Sequence, residues 1–161
     1  MDEILEVLEK NGAKITNAQI AHMVGKTEEE VAAAIAQLEH DGVIFGYKAK
    51  INWEKTKREI VSALIELRVT PQRGEGFDKI AEHIYKYPQV KSVYLMSSGA
   101  YDLAVMIEGK SMKEVAMFVA EKLAPMDAVM STSTHFVLKK YKDDGFICED
   151  DEKDTRQVIT L

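Results

Sequence analysis

The sequence has little cysteine and no long apolar run. Cys148 is the single cysteine among 161 residues, so neither an intrachain disulfide nor a cysteine-based zinc site can form. No apolar stretch approaches the ~18 residues that a membrane span needs, and the first charged residues are acidic. These absences exclude a disulfide-bonded secreted module and a membrane partner, and we expect a cytoplasmic protein.

The chain also lacks an excess of positive charge. Its 21 Lys and Arg residues oppose 27 Asp and Glu, a net charge of -6, so the composition gives no general indication of nucleic-acid binding. The segments differ: the net charge is -4 in residues 1–52, +3 in residues 53–142 and -5 in residues 143–161. We interpret residues 143–161 as a solvated acidic tail, with an acidic interaction arm as the alternative.

Residues 1–52 have the pattern of a winged helix-turn-helix. Apolar residues recur at helical spacing in three short stretches, namely Ile4, Leu5 and Leu8, then Ile20, Met23 and Val24, then Val31, Ile35 and Leu38. Thr16 and Thr27 begin capping boxes, and a glycine follows each helix. Only a short turn separates the second and third helices. The β-prone segment 43–52 predicts a two-stranded wing, and residues 53–59 a polar connector.

Residues 60–142 predict a second domain with the order β-α-β-β-α-β, which is a ferredoxin-like α+β fold. Strands alternate in period two from Ile60, helices follow from Phe77 and Ser111, and the last strand is predicted over Val129–Tyr141. Both faces of most strands carry apolar residues, so the sheet face without helices is expected to be apolar and to pair with a second copy.

This order of elements, with three local motifs, resembles the Lrp/AsnC (feast/famine) family of transcriptional regulators. The motifs are Leu38-Glu39-His40-Asp41-Gly42 with the following segment to Asn52, Gly99-Ala100-Tyr101-Asp102-Leu103, and Val129 with Thr132, Thr134, Val137 and Leu138. The resemblance implies a DNA-binding N-terminal domain. It also implies a C-terminal domain that binds amino acids or similar small effectors and assembles dimers into octamers.

The resemblance places the DNA contacts on the third helix and on the wing. The candidate residues are Lys26, Thr27, Gln37, Lys48 and Lys50, since lysines contact phosphates, Gln pairs with adenine and a hydroxyl reaches a base or a phosphate. Glu28, Glu29 and Glu30 begin this helix and oppose DNA by about 2 kcal/mol together. We therefore expect weak, salt-dependent binding to double-stranded DNA.

The resemblance also implies an effector site near the 99–103 motif and the last strand. The candidates are Gly99, Tyr101, Asp102, Thr132 and Thr134, which offer a carboxylate for an ammonium group and hydroxyls for a carboxylate. The alternative is structural: Gly99 turns the hairpin, Asp102 binds turn amides, and the threonines are ordinary strand residues.

Two other functions compete with a DNA-binding regulator. The acidic first domain would also suit a small-molecule sensor of the same fold that has lost DNA and acts through a protein partner. Some proteins of this type are siroheme decarboxylases, but His22, His40, His83 and His135 form no i, i+4 ligand pair. We expect no enzyme activity, and no catalytic residue, metal site or cofactor.

Overall fold

The computed structural model describes residues 1–70 and 76–148, except the side chain of Ala13. The chain forms two compact units, one over Met1–Ile51 and one that begins at Asn52. Among the described residues, no helix has the length and apolar character to span a membrane.

The first unit consists of three helices, as the sequence predicts. They are α1 (Asp2–Asn11), α2 (Asn17–Val24) and α3 (Glu28–His40), with a short 3-10 turn at Gly12–Lys14. Ile4, Ile20, Ala21 and Val31 form the core. Met23 was expected in this core but is 58% exposed, because the buried face of α2 runs through Ala21 instead.

Both predicted capping boxes are present in this unit. The Thr16 and Thr27 hydroxyls accept from the backbone N–H three residues later, and the Gln19 and Glu30 side chains accept from the N–H of their threonines. Gly25 ends α2 at φ +66°, a left-handed conformation that strains any residue with a Cβ. The turn between α2 and α3 is therefore fixed by local sequence.

The predicted two-stranded wing does not form within this chain. Residues 45–52 have no regular secondary structure, and the Tyr47 hydroxyl tethers this segment to α3 by donating to Glu39 Oε1 at 3.0 Å. Burial, followed by this hydrogen bond, raises the pKa of Tyr47. A two-stranded ribbon with no third strand is marginal in water, and here the β-prone sequence finds no pairing strand.

The second unit has the predicted βαββαβ order. Its elements are β1 (Val61–Val69), α4 (Gly76–Tyr85), β2 (Val90–Leu95), β3 (Leu103–Gly109), α5 (Met112–Phe118), a π-helical turn (Val119–Leu123) and β4 (Val129–Phe136). The strands form an antiparallel sheet in the order β2-β3-β1-β4. One face packs on the helices, with Ile65, Leu67, Val105, Ile84 and Leu123 fully buried.

The other sheet face is not apolar throughout, contrary to our expectation. Leu64, Met106 and Tyr94 lie on it, but β4 contributes alternate residues that are polar. There the Nε2 atom of His135 lies 3.3 Å from the Glu66 carboxylate. The alternation in the sequence did not reveal this, because Val129 and Phe136 of β4 pack on the helix side of the sheet.

The last strand ends five residues earlier than predicted, and a hairpin follows it. Val137 N–H donates to Ser62 O, and β1 offers little strand beyond this point for further pairing. The hairpin consists of β5 (Lys142–Asp143) and β6 (Phe146–Ile147). Asp144 and Gly145 both have positive φ, the typical Asp-Gly turn. The predicted acidic tail thus begins in regular structure, and residues 149–161 lie outside the described part.

Candidate functional site

The exposed side chains in the middle of α3 are short or uncharged. Val31 and Leu38 are buried against the other helices, which turns the opposite face of α3 to solvent. Exposed residues on that side are Glu29, Ala33, Ala36, Gln37 and His40. Such a face approaches a flat or grooved partner closely, but it supplies few hydrogen bonds.

The three glutamates at the start of α3 are not equivalent. Glu30 closes the capping box on Thr27, and this backbone hydrogen bond is the main cause of its lowered pKa, with Lys26 a minor one. Glu28 and Glu29 form no such bond in the described structure. Their negative charges stabilise the helix by interacting with the positive end of its dipole. Thr27 uses one oxygen lone pair as a cap acceptor, so its hydroxyl hydrogen can still donate to a phosphate.

Gln37 is the candidate base-contacting residue, and its amide is already engaged. Its Nε2 donates to Asp41 Oδ1 at 2.8 Å, and the Nδ1 atom of His40 lies 3.2 Å from the same oxygen. These two contacts, that of Gln37 first, lower the pKa of Asp41. The second Nε2 hydrogen and Oε1 remain available for the two polar atoms of an adenine. Sequence inspection missed Asp41, although its i, i+4 spacing from Gln37 was visible.

The candidate phosphate contacts lie on both sides of α3. Lys26 is exposed in the turn before it, and Lys48 and Lys50 are exposed in the unpaired segment after it. All three belong to the first unit, so a single small unit presents the cations, Thr27 and the α3 surface together. Lysine ammonium groups commonly contact the phosphate backbone, which positions a protein on DNA without reading its bases.

Asp102 has a definite structural role in the second unit. Its Oδ2 accepts from Val69 N–H at 2.8 Å, its own N–H donates to Leu67 O, and its carbonyl accepts from Met96 N–H. This carboxylate therefore joins the β2–β3 hairpin to the end of β1. One carboxylate oxygen is engaged, and the other has no hydrogen bond in the described structure.

The remaining candidate effector residues form two separate groups. Gly99 is exposed and Tyr101 half-buried in the hairpin before β3, whereas Thr132 and Thr134 lie on β4 opposite Leu67 and Ile65. Because β1 runs between β3 and β4, two strand spacings, about 10 Å, separate the two groups. The threonines face the helix side of the sheet.

Gly99 has no steric need for glycine within one chain. Its φ lies outside the left-handed region, and a Cβ built there has no heavy atom within 4 Å. The glycine therefore leaves open space above the hairpin rather than enabling the turn. This property suits the close approach of a ligand or of a second copy.

Sequence inspection missed a cleft of about 530 Å³ at the other end of the sheet. It lies where β1 and β2 begin and β3 ends, and none of the candidate effector residues lines it. The lining residues are Lys57, Arg58, Glu59, Ile60, Pro88, Gln89, Lys91, Glu108, Gly109, Lys110 and Glu114. The basic residues of the connector were visible in the sequence, but only the fold brings them to Lys110, which follows β3.

No group of three His, Cys, Asp or Glu residues in the described part of the chain could hold a metal ion. His135 contacts Glu66 and Ser133 through the same nitrogen, so these three side chains do not form the relay in which a base uses both ring nitrogens.

Two family models match the two units. A winged helix-turn-helix DNA-binding model matches residues 3–44, and an Lrp/AsnC ligand binding domain model matches residues 62–147. The second match alone covers more than half of the chain, and together they place a DNA-binding unit before a ligand-binding unit.

Relatives with similar sequences match over nearly their whole length. The HTH-type transcriptional regulator YugG of Bacillus subtilis (strain 168) is 49% identical over 159 residues, which cover 98% of this chain and 95% of YugG. The HTH-type transcriptional regulator LrpA of Pyrococcus abyssi is 28% identical over 139 residues, 86% of this chain and 94% of LrpA.

Solved structures share the fold at lower identity. A transcriptional regulator of Neisseria meningitidis, solved as an L-Met complex, has a TM-score of 0.70 at 24% identity and covers 88% of this chain and 89% of its own. The feast or famine regulatory protein of Mycobacterium tuberculosis, complexed with L-methionine, has a TM-score of 0.72 at 19% identity, covering 92% and 96%. The chain belongs to the Lrp/AsnC family of helix-turn-helix transcriptional regulators.

Proposed function

We propose that this regulator binds double-stranded DNA as a homodimer or larger assembly, weakly and with strong salt dependence, and that an amino acid controls this binding. The observation that carries the proposal is the first unit, where α3 has a solvent-exposed face and the exposed Lys26 precedes it and the exposed Lys48 and Lys50 follow it in the chain. Three phosphate contacts per copy become six in a dimer.

The number of contacts sets the expected salt dependence. Six phosphate contacts give a slope of about -5 for the logarithm of the binding constant against the logarithm of salt concentration. Affinity should therefore fall about 1000-fold between 50 and 200 mM salt. Lys26, whose charge contributes to the lowered pKa of Glu30, offsets part of the repulsion between this carboxylate and DNA.

Two surfaces support self-association. Segment 43–51 presents exposed apolar residues, including Phe45 at 98% exposure, on backbone that has no strand partner among the described residues. The open sheet face presents Leu64, Met106 and Tyr94 beside the Glu66–His135 pair. Exposed apolar surface of this kind is typical of interfaces between copies.

The amino-acid site is proposed at the 99–102 hairpin, completed by a second copy. The open space above Gly99 and the half-occupied Asp102 carboxylate support a site for a zwitterion. The separation of Thr132 and Thr134 from the hairpin within one chain favours completion by a neighbouring copy, and L-Met complexes of two structural neighbours favour an amino acid. Assembly of dimers into octamers belongs to the same proposal.

The experiment is fluorescence anisotropy of the full-length protein on its own promoter fragment, from low to high salt, with and without each of the twenty amino acids. Lys48→Gln with Lys50→Gln should weaken binding on every sequence and reduce the slope by about 4 in a dimer. Lys10→Gln in α1 is the matched control and should change neither quantity.

The absence of any binding at low salt, with or without amino acids, would contradict the proposal. It would favour the alternative sensor that contacts a protein, for which the absence of Lys and Arg within α3 is the supporting observation. Thermal-shift screening shows which of the two units binds a ligand. A ligand at 100 times its dissociation constant adds about 2.7 kcal/mol to the stability of the domain that binds it.

A further inference from the structure

The cleft at the far end of the second unit's sheet contains three cations without carboxylate partners. In the described part of the chain, the ammonium groups of Lys57 and Lys110 form no ion pair, and the Arg58 guanidinium lies 4.8 Å from the centre of the Trp53 ring. Stacked on an aromatic face, a guanidinium keeps its N–H groups available for an anion.

Two of the three glutamates that line this cleft, Glu108 and Glu114, are engaged, and Glu59 is the third. Glu114 Oε2 accepts from the backbone N–H of Lys110. Glu108 lies between two lysines, with Lys91 Nζ at 3.8 Å and Lys140 Nζ at 4.0 Å from its carboxylate oxygens. The cleft therefore presents more free positive than free negative charge.

The chain leaves its described part beside this cleft. Cys148 N–H donates to Tyr141 O at 2.9 Å, and the neighbouring Lys140 joins Asp143 of the hairpin to Glu108 of the cleft. The path from Cys148 to the cleft is thus one backbone hydrogen bond and one lysine side chain. The eight residues 149–156 can span about 27 Å when extended, more than this path requires.

The sequence that follows Cys148 is complementary to the cleft. Acidic residues occupy five of the next six positions, Glu149, Asp150, Asp151, Glu152 and Asp154. Tethering them beside the cleft gives an effective concentration in the millimolar range, which a free metabolite anion would have to exceed. We propose that the cleft binds the chain's own acidic segment, residues 149–156.

Docking of the acidic segment would also affect DNA binding. Only this step of the inference rests on the proposed function. Lys57 and Arg58 lie near the start of the second unit, and on the proposed function an empty cleft would leave them available to DNA phosphates. A docked acidic segment neutralises them and so competes with DNA. The segment then acts as an internal competitor whose effect is strongest at low salt.

The test is lysine footprinting of the full-length protein, without DNA, so its outcome does not depend on the proposed function. Acetylation rates at Lys57 and Lys110 are measured by mass spectrometry in the wild type and in Asp150→Asn/Asp151→Asn/Glu152→Gln. If the docked state is preferred threefold, both lysines should react about fourfold more slowly in the wild type. Lys113 and Lys122, exposed but outside the cleft, are the matched controls.

Salt and chemical crosslinking complete the test. The protection should disappear at about 0.5 M salt, since the ion pairs are at the surface. A zero-length carbodiimide should join Lys57 or Lys110 to residues 149–154 within one copy, as judged with mixed isotope-labelled protein. Equal acetylation of both proteins, equal protection of the controls, or crosslinks only between copies would overturn the proposal.

Discussion

The hydrogen bond from Val69 N–H to Asp102 allows a separation of structural and ligand-binding roles. In Asp102→Ala the Val69 amide loses its 2.8 Å acceptor. Val69 is only 5% exposed, so water cannot readily replace the carboxylate. In Asp102→Asn an amide oxygen of the same reach can still accept, and only the charge is lost.

The magnitude follows from the kind of bond removed. A hydrogen bond to a charged acceptor contributes about 1.5–3 kcal/mol, and an orphaned buried donor costs a similar amount. A domain of about 100 residues loses about 5 °C in Tm per kcal/mol, so Asp102→Ala should unfold about 7–15 °C below the wild type. Asp102→Asn should lose less than half of that, because its bond is neutral rather than charge-assisted.

The assay is thermal unfolding of the three proteins, each with and without the amino acids that stabilise the wild type. If Asp102 also binds the effector's ammonium group, Asp102→Asn should keep most of its stability and lose the ligand-induced shift. If Asp102→Ala unfolds within about 1 °C of the wild type, the Val69 bond contributes nothing and the reasoning is refuted. A full ligand shift in Asp102→Asn would restrict Asp102 to its structural role.

Three further predictions concern local structure. Thr27→Ala should lower the free energy of unfolding by about 1 kcal/mol through loss of the capping box, and Thr27→Ser should not, as measured by urea denaturation. Gly25→Ala should cost about 1 kcal/mol because φ is +66°, whereas Gly99→Ala should cost less than about 0.5 kcal/mol; equal costs would contradict the conformational argument. The lowered pKa of Asp41 means that the native state binds fewer protons than the unfolded state there. The contribution of the ionised Asp41 to the free energy of unfolding is therefore present above its unfolded pKa and lost as pH falls through its folded pKa. Asp41→Asn should make the stability measured by denaturation curves depend less on pH in this acid range.

The sequence predicted the helices and strands well wherever local chemistry decides them. The capping boxes at Thr16 and Thr27 need only residues three apart, and the burial of Ile65 and Leu67 follows from strict alternation. The β-α-β-β-α-β order followed from the change in period at Ile60. Each of these signals lies within a few residues, so no tertiary information was needed.

Features that depend on pairing partners could not be predicted in the same way. The β propensity of segment 43–52 is real, but a strand also needs a partner, and residues 1–70 and 76–148 provide none. The end of β4 at Phe136 is set by where β1 begins, 75 residues earlier in the chain. The gathering of Lys57 and Lys110 at one cleft likewise depends on strand register.

The acidity of the first unit takes on a different meaning once its contacts are known. Glu30 is a helix cap, and Asp41 holds Gln37 and His40, so acids that oppose DNA also organise the surface that would contact it. A single unit with three candidate lysines and an alanine-rich α3 has little capacity for tight binding. Affinity must then come from linking units, since joining two weak binders gains 100-fold or more without any new contact. On the proposed function, an effector that alters assembly at the 99–102 hairpin would therefore control DNA binding without touching α3.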